Sequence, residues 1–275
     1  MPYTLIALDI DGTIRSPEYP LSDRTRMAID SAREAGAVVT VATGRMFQSA
    51  RSACAELDLT SPIASFQGAV VGDPSTGEVL WHRPLTESMA MAALGALGDS
   101  GHEVLAYVGD DVYVNEMTPR AESYAYRNGV NVHLVDDLQD TASHQPTRLV
   151  AFGSEEEMLG LEADLKARFD SQLYVTRSLA TFCEVLHPES GKEKALAWLC
   201  DRLGSRREET VAFGNGYNDV PMLAWAGLGV AIGGAVQDAI DAADRVALPI
   251  EEDGAAQVIE GLLRDGLIAA PGGPR

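Results

Sequence analysis

The sequence contains little positive charge and little cysteine. Lys and Arg together number 21 against 41 Asp and Glu, which gives a formal net charge of −20. A chain with so few positive charges is not expected to bind nucleic acids or anionic membranes, because both need a basic surface. The three cysteines, Cys54, Cys183 and Cys200, are too few and too scattered for a disulfide framework or a cysteine metal site, which is typical of a reducing cytoplasm.

The sequence also lacks a long uninterrupted hydrophobic run. The longest uncharged segment, residues 220–237, is broken by one proline and four glycines, so it does not predict a membrane-spanning helix. Near the start of the chain, residues 1–9 form a short apolar stretch that ends at Asp9. This pattern predicts a strand rather than a secretory signal. Hydrophobic residues make up 46% of the chain, enough for a folded core. We therefore expect a globular, cytoplasmic protein that is a monomer or a homodimer.

Short apolar runs alternate with segments of helical period at both ends of the chain. The strands predicted at 4–8 and 38–42, each followed by a helix, are typical of a parallel sheet covered on both faces. Residues 1–83 and 188–275 therefore predict a Rossmann-like α/β core. Between them, residues 84–187 show strand pairs and separate helices, which predict an inserted α+β domain. The final nine residues, rich in Gly, Pro and Ala, are expected to fray.

The segment Asp9-Ile10-Asp11-Gly12-Thr13 directly follows the first predicted strand. In an open α/β sheet, ligands bind beside the carboxyl ends of the strands. Asp9 and Asp11 are two residues apart and point the same way from an extended backbone, while Gly12 permits a sharp turn. Such a pair could hold Mg²⁺ or divide the roles of nucleophile and acid/base, although a solvated turn would show the same residues.

The segment Thr43-Gly44-Arg45 follows the predicted strand 38–42. A hydroxyl and the next backbone N–H at the end of a strand can hold a phosphoryl oxygen. The same hydroxyl could instead cap the helix that follows. This segment is a candidate phosphate-binding loop with a structural alternative.

The segment Gly191-Lys192 begins a predicted helix in a chain that has three lysines beside eighteen arginines. The compact ammonium group of Lys192 suits the neutralisation of a phosphate as a point charge. An ordinary exposed helix lysine is the alternative.

The segment from Gly214 to Asp219, with the sequence Gly-Asn-Gly-Tyr-Asn-Asp, follows the predicted strand 211–213. Oxygen-bearing side chains in a glycine-containing loop suit a hard cation, and a plain turn is the alternative. Together the four segments supply a nucleophile, an acid/base, phosphate donors, a cation and metal-binding oxygens around one sheet. That combination predicts an active site.

In their residues and order, the four segments resemble the motifs of the haloacid dehalogenase superfamily of phosphohydrolases. The position of the insertion 84–187, between the second and third segments, resembles the Cof-type subfamily with a class II, subtype B cap. The resemblance covers nearly the whole chain and implies a Rossmann-like core with a cap that determines substrate specificity. It also implies a Mg²⁺-dependent phosphatase that acts on a small phosphorylated metabolite, with sugar phosphates as the expected class.

The resemblance assigns a role to each motif residue. Asp9 would be the nucleophile that forms an aspartyl-phosphate, Asp11 would be the acid/base, and Thr43 and Lys192 would act in catalysis with them. The residues expected to hold substrate and its phosphoryl group are Thr43, Gly44, Arg45, Lys192 and Asn218. The residues expected to hold Mg²⁺ are Asp9, Asp11 through its backbone carbonyl, Asn215 and Asp219.

Two positions depart from the family's pattern. Relatives have an Asp in the fourth motif where this chain has Asn215, a neutral amide that keeps a carbonyl oxygen but brings no charge. We therefore expect weaker metal affinity with Mg²⁺ dependence preserved. Gln67 stands before Gly68 where relatives often have Asn.

Two other functions stay open at this point. A phosphomutase of the same fold would carry the same motifs and transfer the phosphoryl group to another sugar hydroxyl instead of water. A catalytically weak metabolite-binding protein is the other alternative, because Asn215 replaces the usual acid. Retention of both Asp9 and Asp11 favours an enzyme over a binding protein.

Overall fold

The computed structural model describes residues 1–271 and, at positions 127 and 128, the backbone alone. The strands in this part of the chain are β1 (Leu5–Leu8), β2 (Val38–Val41), β3 (Ile63–Ser65), β4 (Val70–Gly72), β5 (Val79–His82), β6 (Glu103–Val108), β7 (Asp111–Val114), β8 (Asn131–Leu134), β9 (Arg148–Phe152), β10 (Tyr174–Arg177), β11 (Phe182–Leu186), β12 (Thr210–Gly214), β13 (Leu228–Gly233) and β14 (Arg245–Pro249). The α-helices are α1 (Asp23–Glu34), α2 (Phe47–Glu56), α3 (Glu87–Ser100), α4 (Pro119–Asn128), α5 (Glu155–Phe169), α6 (Lys192–Leu203), α7 (Val220–Trp225), α8 (Gln237–Ala242) and α9 (Gly254–Arg264).

The first structural unit consists of Met1–Trp81 and the chain from Gly191 onward. Its main sheet has the strand order β14-β13-β12-β1-β2, and every neighbouring pair is parallel. The apolar strand β1 is completely buried and lies between β12 and β2 in this sheet. A second, smaller sheet contains β3, β4 and β5. These observations confirm the predicted α/β core built on a parallel sheet.

Three adjacent strands of this sheet, β12, β1 and β2, place their carboxyl ends side by side. Leu8, the last residue of β1, is in register with the last residue of β2 and with Phe213 of β12. Because parallel strands end at the same edge, the segments that follow them meet there. Asp9, Thr43 and Asn215 lie in those segments.

The second unit is His82–Ser190, slightly wider than the expected insertion 84–187. Its sheet has the order β10-β11-β9-β6-β7-β8, antiparallel throughout except for the parallel pair β7 and β8. The buried side chains of α3 and α5 form one apolar core with alternate residues of the strands, including Leu97, Leu161 and Val185. This arrangement is the expected α+β architecture.

Local signals set the limits of several helices. Ser22 caps α1 by accepting a hydrogen bond from the Thr25 N–H. Ser154 and Glu157 form a reciprocal capping box at the start of α5. Within residues 1–271, no helix combines the length and apolar character needed to cross a membrane.

The expectation that the chain frays over its last nine residues is wrong for the first three of them, residues 267–269. The N–H of Tyr3 donates to the Leu267 carbonyl at 2.7 Å, and the N–H of Ala269 donates to the Tyr3 carbonyl at 2.9 Å. These backbone hydrogen bonds hold residues 267–269 beside the start of the chain. The last four residues of the predicted frayed segment, 272–275, lie outside the described residues.

Candidate active site

Lys192 lies between two buried carboxylates. It is the first residue of α6, and its side chain is completely buried. Its Nζ donates to Oδ1 of Asp9 at 2.7 Å and to Oδ1 of Asp219 at 2.6 Å. The structure therefore brings together side chains from the first, third and fourth segments, and the alternative of an exposed helix lysine is excluded.

This cluster has two carboxylates for one ammonium group. Burial raises the pKa of Asp9 from its ordinary 3.8 to about 7; Lys192 acts in the opposite direction, and Asp219 adds to the rise. Burial alone would lower the pKa of Lys192, but the two carboxylates outweigh it and hold that pKa above its ordinary value. Lys192 is thus a fixed positive charge at neutral pH, while Asp9 titrates near neutrality.

The fourth segment folds around the carboxylate of Asp219. The backbone N–H groups of Asn215 and Gly216 donate to its Oδ2 at 2.9 and 2.8 Å. A Cβ on Gly214 would lie 2.5 Å from the Cβ of Asp219, so the glycine permits this close approach. One oxygen of Asp219 is therefore held by its own loop and the other by Lys192.

The side chain of Asn215 lies beside the first segment. Its Oδ1 is 2.9 Å from the hydroxyl of Thr13, and the same hydroxyl is 3.2 Å from Oδ2 of Asp9. Gly12 has a φ of +85°, and a Cβ there would collide with the Asn215 amide. Thr13, which was predicted only as part of a motif, thus connects the nucleophile candidate to Asn215.

The hydroxyl of Thr43 is used within its own loop. The side chain is buried, and Oγ1 accepts a hydrogen bond from the N–H of Arg45 at 3.2 Å. The residue before the first turn of α2 is Met46, and it makes no side-chain capping bond. Thr43 therefore does not cap the following helix, which was the structural alternative for this segment.

Arg45 makes a two-pronged ion pair with Asp11. Its Nε and Nη2 lie 2.7 and 2.6 Å from the two carboxylate oxygens of Asp11. The Asp11 side chain is more than half exposed, whereas that of Arg45 is largely buried. The acid/base candidate is thus oriented by a residue that was expected to contact substrate.

Gln67 joins three of the loops, although the sequence marked it only as a departure from the family's pattern. Its side-chain Oε1 accepts a hydrogen bond from Nδ2 of Asn218 at 2.9 Å. Its backbone N–H donates to the Thr43 carbonyl, and its carbonyl accepts from the N–H of Gly191. The neighbouring Gly68 was the one local signal of an unusual backbone here.

The oxygen atoms around Asp9 suit a hard cation. Among the residues that the structure describes, no three acidic, His or Cys side chains converge on one point, and the carboxylate of Asp11 is paired with Arg45. The carboxylates of Asp9 and Asp219 and the amide of Asn215 are nevertheless linked by shared hydrogen-bond partners. Their buried excess of negative charge and their oxygen donors fit Mg²⁺.

Comparison with known sequences identifies relatives over nearly the whole chain. The sequence profile described as haloacid dehalogenase-like hydrolase matches residues 6–259. A 5-amino-6-(5-phospho-D-ribitylamino)uracil phosphatase of Bacillus subtilis is 32% identical over 266 residues, covering 94% of this chain and 97% of the relative. An HMP-PP phosphatase of Cronobacter sakazakii is 27% identical, covering 84% of each chain.

Solved structures show the same fold. A haloacid dehalogenase subclass IIB sugar phosphatase superposes with a TM-score of 0.79 at 24% identity, covering 96% of this chain and all of the other. At this identity the likeness concerns the fold alone, including the type of inserted domain.

Proposed function

Because the chain belongs to the haloacid dehalogenase-like hydrolase family and is an enzyme of its phosphatase type, we propose that it hydrolyses a small phosphorylated metabolite through an aspartyl-phosphate. The observation that carries this proposal is the buried Lys192 between Asp9 and Asp219. An anionic nucleophile can approach an anionic phosphate only where positive charge is fixed nearby.

Asp9 is the proposed nucleophile. One of its carboxylate oxygens attacks phosphorus, the new bond to phosphorus forms, and the bond to the ester oxygen breaks. Lys192 holds one oxygen of Asp9, and the Thr13 hydroxyl lies beside the other. These contacts fix the carboxylate in one orientation before the substrate arrives, which removes part of the entropic cost of the reaction.

Asp11 is the proposed acid/base. It would donate a proton to the leaving alcohol and then take a proton from the water that attacks the aspartyl-phosphate. Its partial exposure allows it to reach a substrate, and Arg45 holds both of its oxygens. For Asp11 to carry the proton, the Arg45 guanidinium must release one of those oxygens when substrate binds.

The phosphoryl oxygens would be held by donors from three loops. Lys192 supplies its ammonium group, Gly44 a backbone N–H, and Asn218 a side-chain amide whose second N–H is available beyond its bond to Gln67. The Thr43 hydroxyl accepts a hydrogen bond from the N–H of Arg45. It keeps its own proton, which it would donate to a phosphoryl oxygen.

The carboxylates of Asp9 and Asp219, the Asn215 amide and the backbone carbonyl of Asp11 are the proposed Mg²⁺ ligands. When bound, the ion would lower the pKa of Asp9 and offset charge on the phosphoryl group. The hydrogen bonds that the Asn215 and Gly216 N–H groups make to Asp219 hold this ligand in place.

We propose a sugar phosphate or sugar-alcohol phosphate as the substrate class. The relative with 32% identity is named for a substrate whose phosphate lies on a ribityl group, which supports this choice. Selection among such substrates is proposed to reside in the unit His82–Ser190.

The test is a screen of phosphorylated metabolites and an activated aryl phosphate, with and without Mg²⁺, on wild type and Asp9→Asn. We expect Mg²⁺-dependent release of inorganic phosphate by wild type and a loss of at least about 10³-fold in Asp9→Asn. Asp201→Asn makes the same exchange at an exposed position on α6 and should keep wild-type activity.

Failure of the wild type to release phosphate from every substrate would overturn the phosphatase proposal. Activity that survives Asp9→Asn would instead overturn the covalent mechanism. Transfer of the phosphoryl group to another sugar hydroxyl, detected by product analysis, would identify a phosphomutase.

A further inference from the structure

Gln67 lies in a short segment of left-handed backbone. Phe66, Gln67 and Gly68 have φ values of 48°, 54° and 81°, and the first two are rare conformations for residues other than glycine. All three residues are buried. Such a conformation persists only where the surrounding structure holds it, and it occurs preferentially at functional sites.

The backbone of Gln67 connects the loops that carry Thr43 and Lys192. Its N–H donates to the Thr43 carbonyl at 3.1 Å, and its carbonyl accepts from the N–H of Gly191, next to Lys192, at 2.9 Å. A Cβ on Gly68 would collide with the Gly191 carbonyl, so the two loops are in close contact. The left-handed turn therefore fixes the spacing of two proposed phosphate-binding loops.

The side chain of Gln67 reaches the fourth loop. Its Oε1 accepts from Nδ2 of Asn218 at 2.9 Å, with Gln67 fully buried and Asn218 7% exposed. A Cβ on Gly44 would lie 2.5 Å from Nε2 of Gln67, so the amide packs directly against the second loop. One buried amide thus contacts groups on two sides of the proposed phosphate site.

Resting on the proposed function, we propose that Gln67 is a positioning residue for phosphoryl binding. Its Oε1 takes one N–H of Asn218 and so directs the second N–H toward the phosphoryl oxygen. The length of the glutamine side chain is essential, because the acceptor oxygen must cross from the left-handed turn to the fourth loop. Gln67 itself does not touch the reacting atoms.

Gln67→Asn tests this role. Asparagine tolerates the left-handed backbone and keeps an amide but is one methylene shorter, so the bond to Asn218 is lost while the turn is kept. We expect KM for an aryl phosphate and the inhibition constant of inorganic phosphate to rise about tenfold, with a smaller change in kcat. A purely structural role would lower the active fraction and leave both binding constants unchanged.

Gln145→Asn is the matched control. Gln145 has a φ of 52° and is exposed in the unit His82–Ser190, so it undergoes the same exchange in the same backbone conformation. It should leave KM and the phosphate inhibition constant at wild-type values. An equal effect of this variant would overturn the proposal.

A double-mutant cycle with Asn218→Ala tests whether Gln67 acts through Asn218. In that background, Gln67→Asn should change KM by less than about twofold, since the residue it orients is already removed. Effects that multiply independently would overturn the proposal. If Gln67→Asn does not fold, Gln67→Met, which keeps the length and removes both amide atoms, is measured in the same cycle with the same expected outcome.

The outcomes separate the two proposals. A wild type without phosphatase activity overturns the proposed function and, with it, this role of Gln67. An active wild type whose binding constants are insensitive to both Gln67 variants overturns the positioning role alone.

Discussion

At the level of single residues, the site places more negative charge in its interior than it neutralises. Asp9 and Asp219 are both buried beside Lys192, and the pKa of Asp9 rises to about 7 because burial disfavours its charged form. An arrangement of this kind lowers stability in order to hold reactive groups ready. This loss of stability should be measurable in the protein without metal.

In the presence of a chelator, the free energy of unfolding should depend on the protonation of Asp9. The folded protein binds this proton more tightly than the unfolded chain, where the pKa is near 3.8, so stability should fall as pH rises from about 4 to about 7. Asp9→Asn removes this contribution. We expect the free energy of unfolding of the variant to exceed that of wild type by about 1–3 kcal/mol at about pH 8, measured by urea denaturation with chelator present.

The exposed exchange Asp201→Asn serves as the control for this measurement and should follow the wild-type pH profile. A variant Asp9→Asn that is less stable than wild type at every pH would contradict the electrostatic description of the cluster.

Asn215 offers a second measurement at the residue scale. Asn215→Asp adds a carboxylate next to the proposed metal ligands Asp9 and Asp219, where the side chain already lies beside Thr13. We expect the Mg²⁺ concentration for half-maximal rate to fall by about tenfold, because a charged oxygen binds a hard cation more strongly than an amide oxygen. An unchanged or higher requirement would place Asn215 outside the metal-binding set.

At the level of elements, the site is made by loops that follow strands of one parallel sheet. β1, β2 and β12 end side by side, and their following segments carry Asp9, Thr43 and Asn215. The second unit depends on its own local signals, and the capping box of Ser154 and Glu157 at α5 is the most complete of them among the described helices.

Ser154→Ala should destabilise α5 and the unit that contains it. The hydroxyl of Ser154 accepts from the N–H of Glu157, and that bond is lost in the variant. We expect a decrease of about 1 kcal/mol in the free energy of unfolding, measured by thermal or urea denaturation. Ser171→Ala, an exposed serine in the 3-10 turn after α5, should have no comparable effect, and an equal loss there would contradict the capping assignment.

The strands and their following loops could be predicted from the sequence because buried apolar runs end at polar motif residues. Contacts between the loops could not be predicted in this way. Nothing in the residue type of Phe66 signals a left-handed backbone, since the conformation is held by the surrounding loops. The pairing of Arg45 with Asp11 was equally hidden, because an exposed carboxylate and a flexible guanidinium can meet many partners.

At the level of the whole molecule, the net charge of −20 opposes the approach of a phosphate ester. Under the proposed function, capture would depend on local groups, namely Lys192, Mg²⁺ and Arg45, rather than on long-range attraction. Lowering the ionic strength from about 150 mM to about 20 mM should leave KM unchanged or raise it, because repulsion is then less screened. A marked decrease in KM at low ionic strength, measured in steady-state kinetics, would contradict this description.

The central claim is that Asp9 becomes phosphorylated during turnover, and rapid acid quenching followed by peptide mass spectrometry tests it most directly. The tryptic peptide that ends at Arg15 contains both Asp9 and Asp11, so fragmentation is needed to locate the modification. We predict one phosphoryl group on Asp9 in wild type reacting with an aryl phosphate, and none in Asp9→Asn. Turnover by wild type with this peptide unmodified, or with the phosphoryl group on Asp11, would contradict the account.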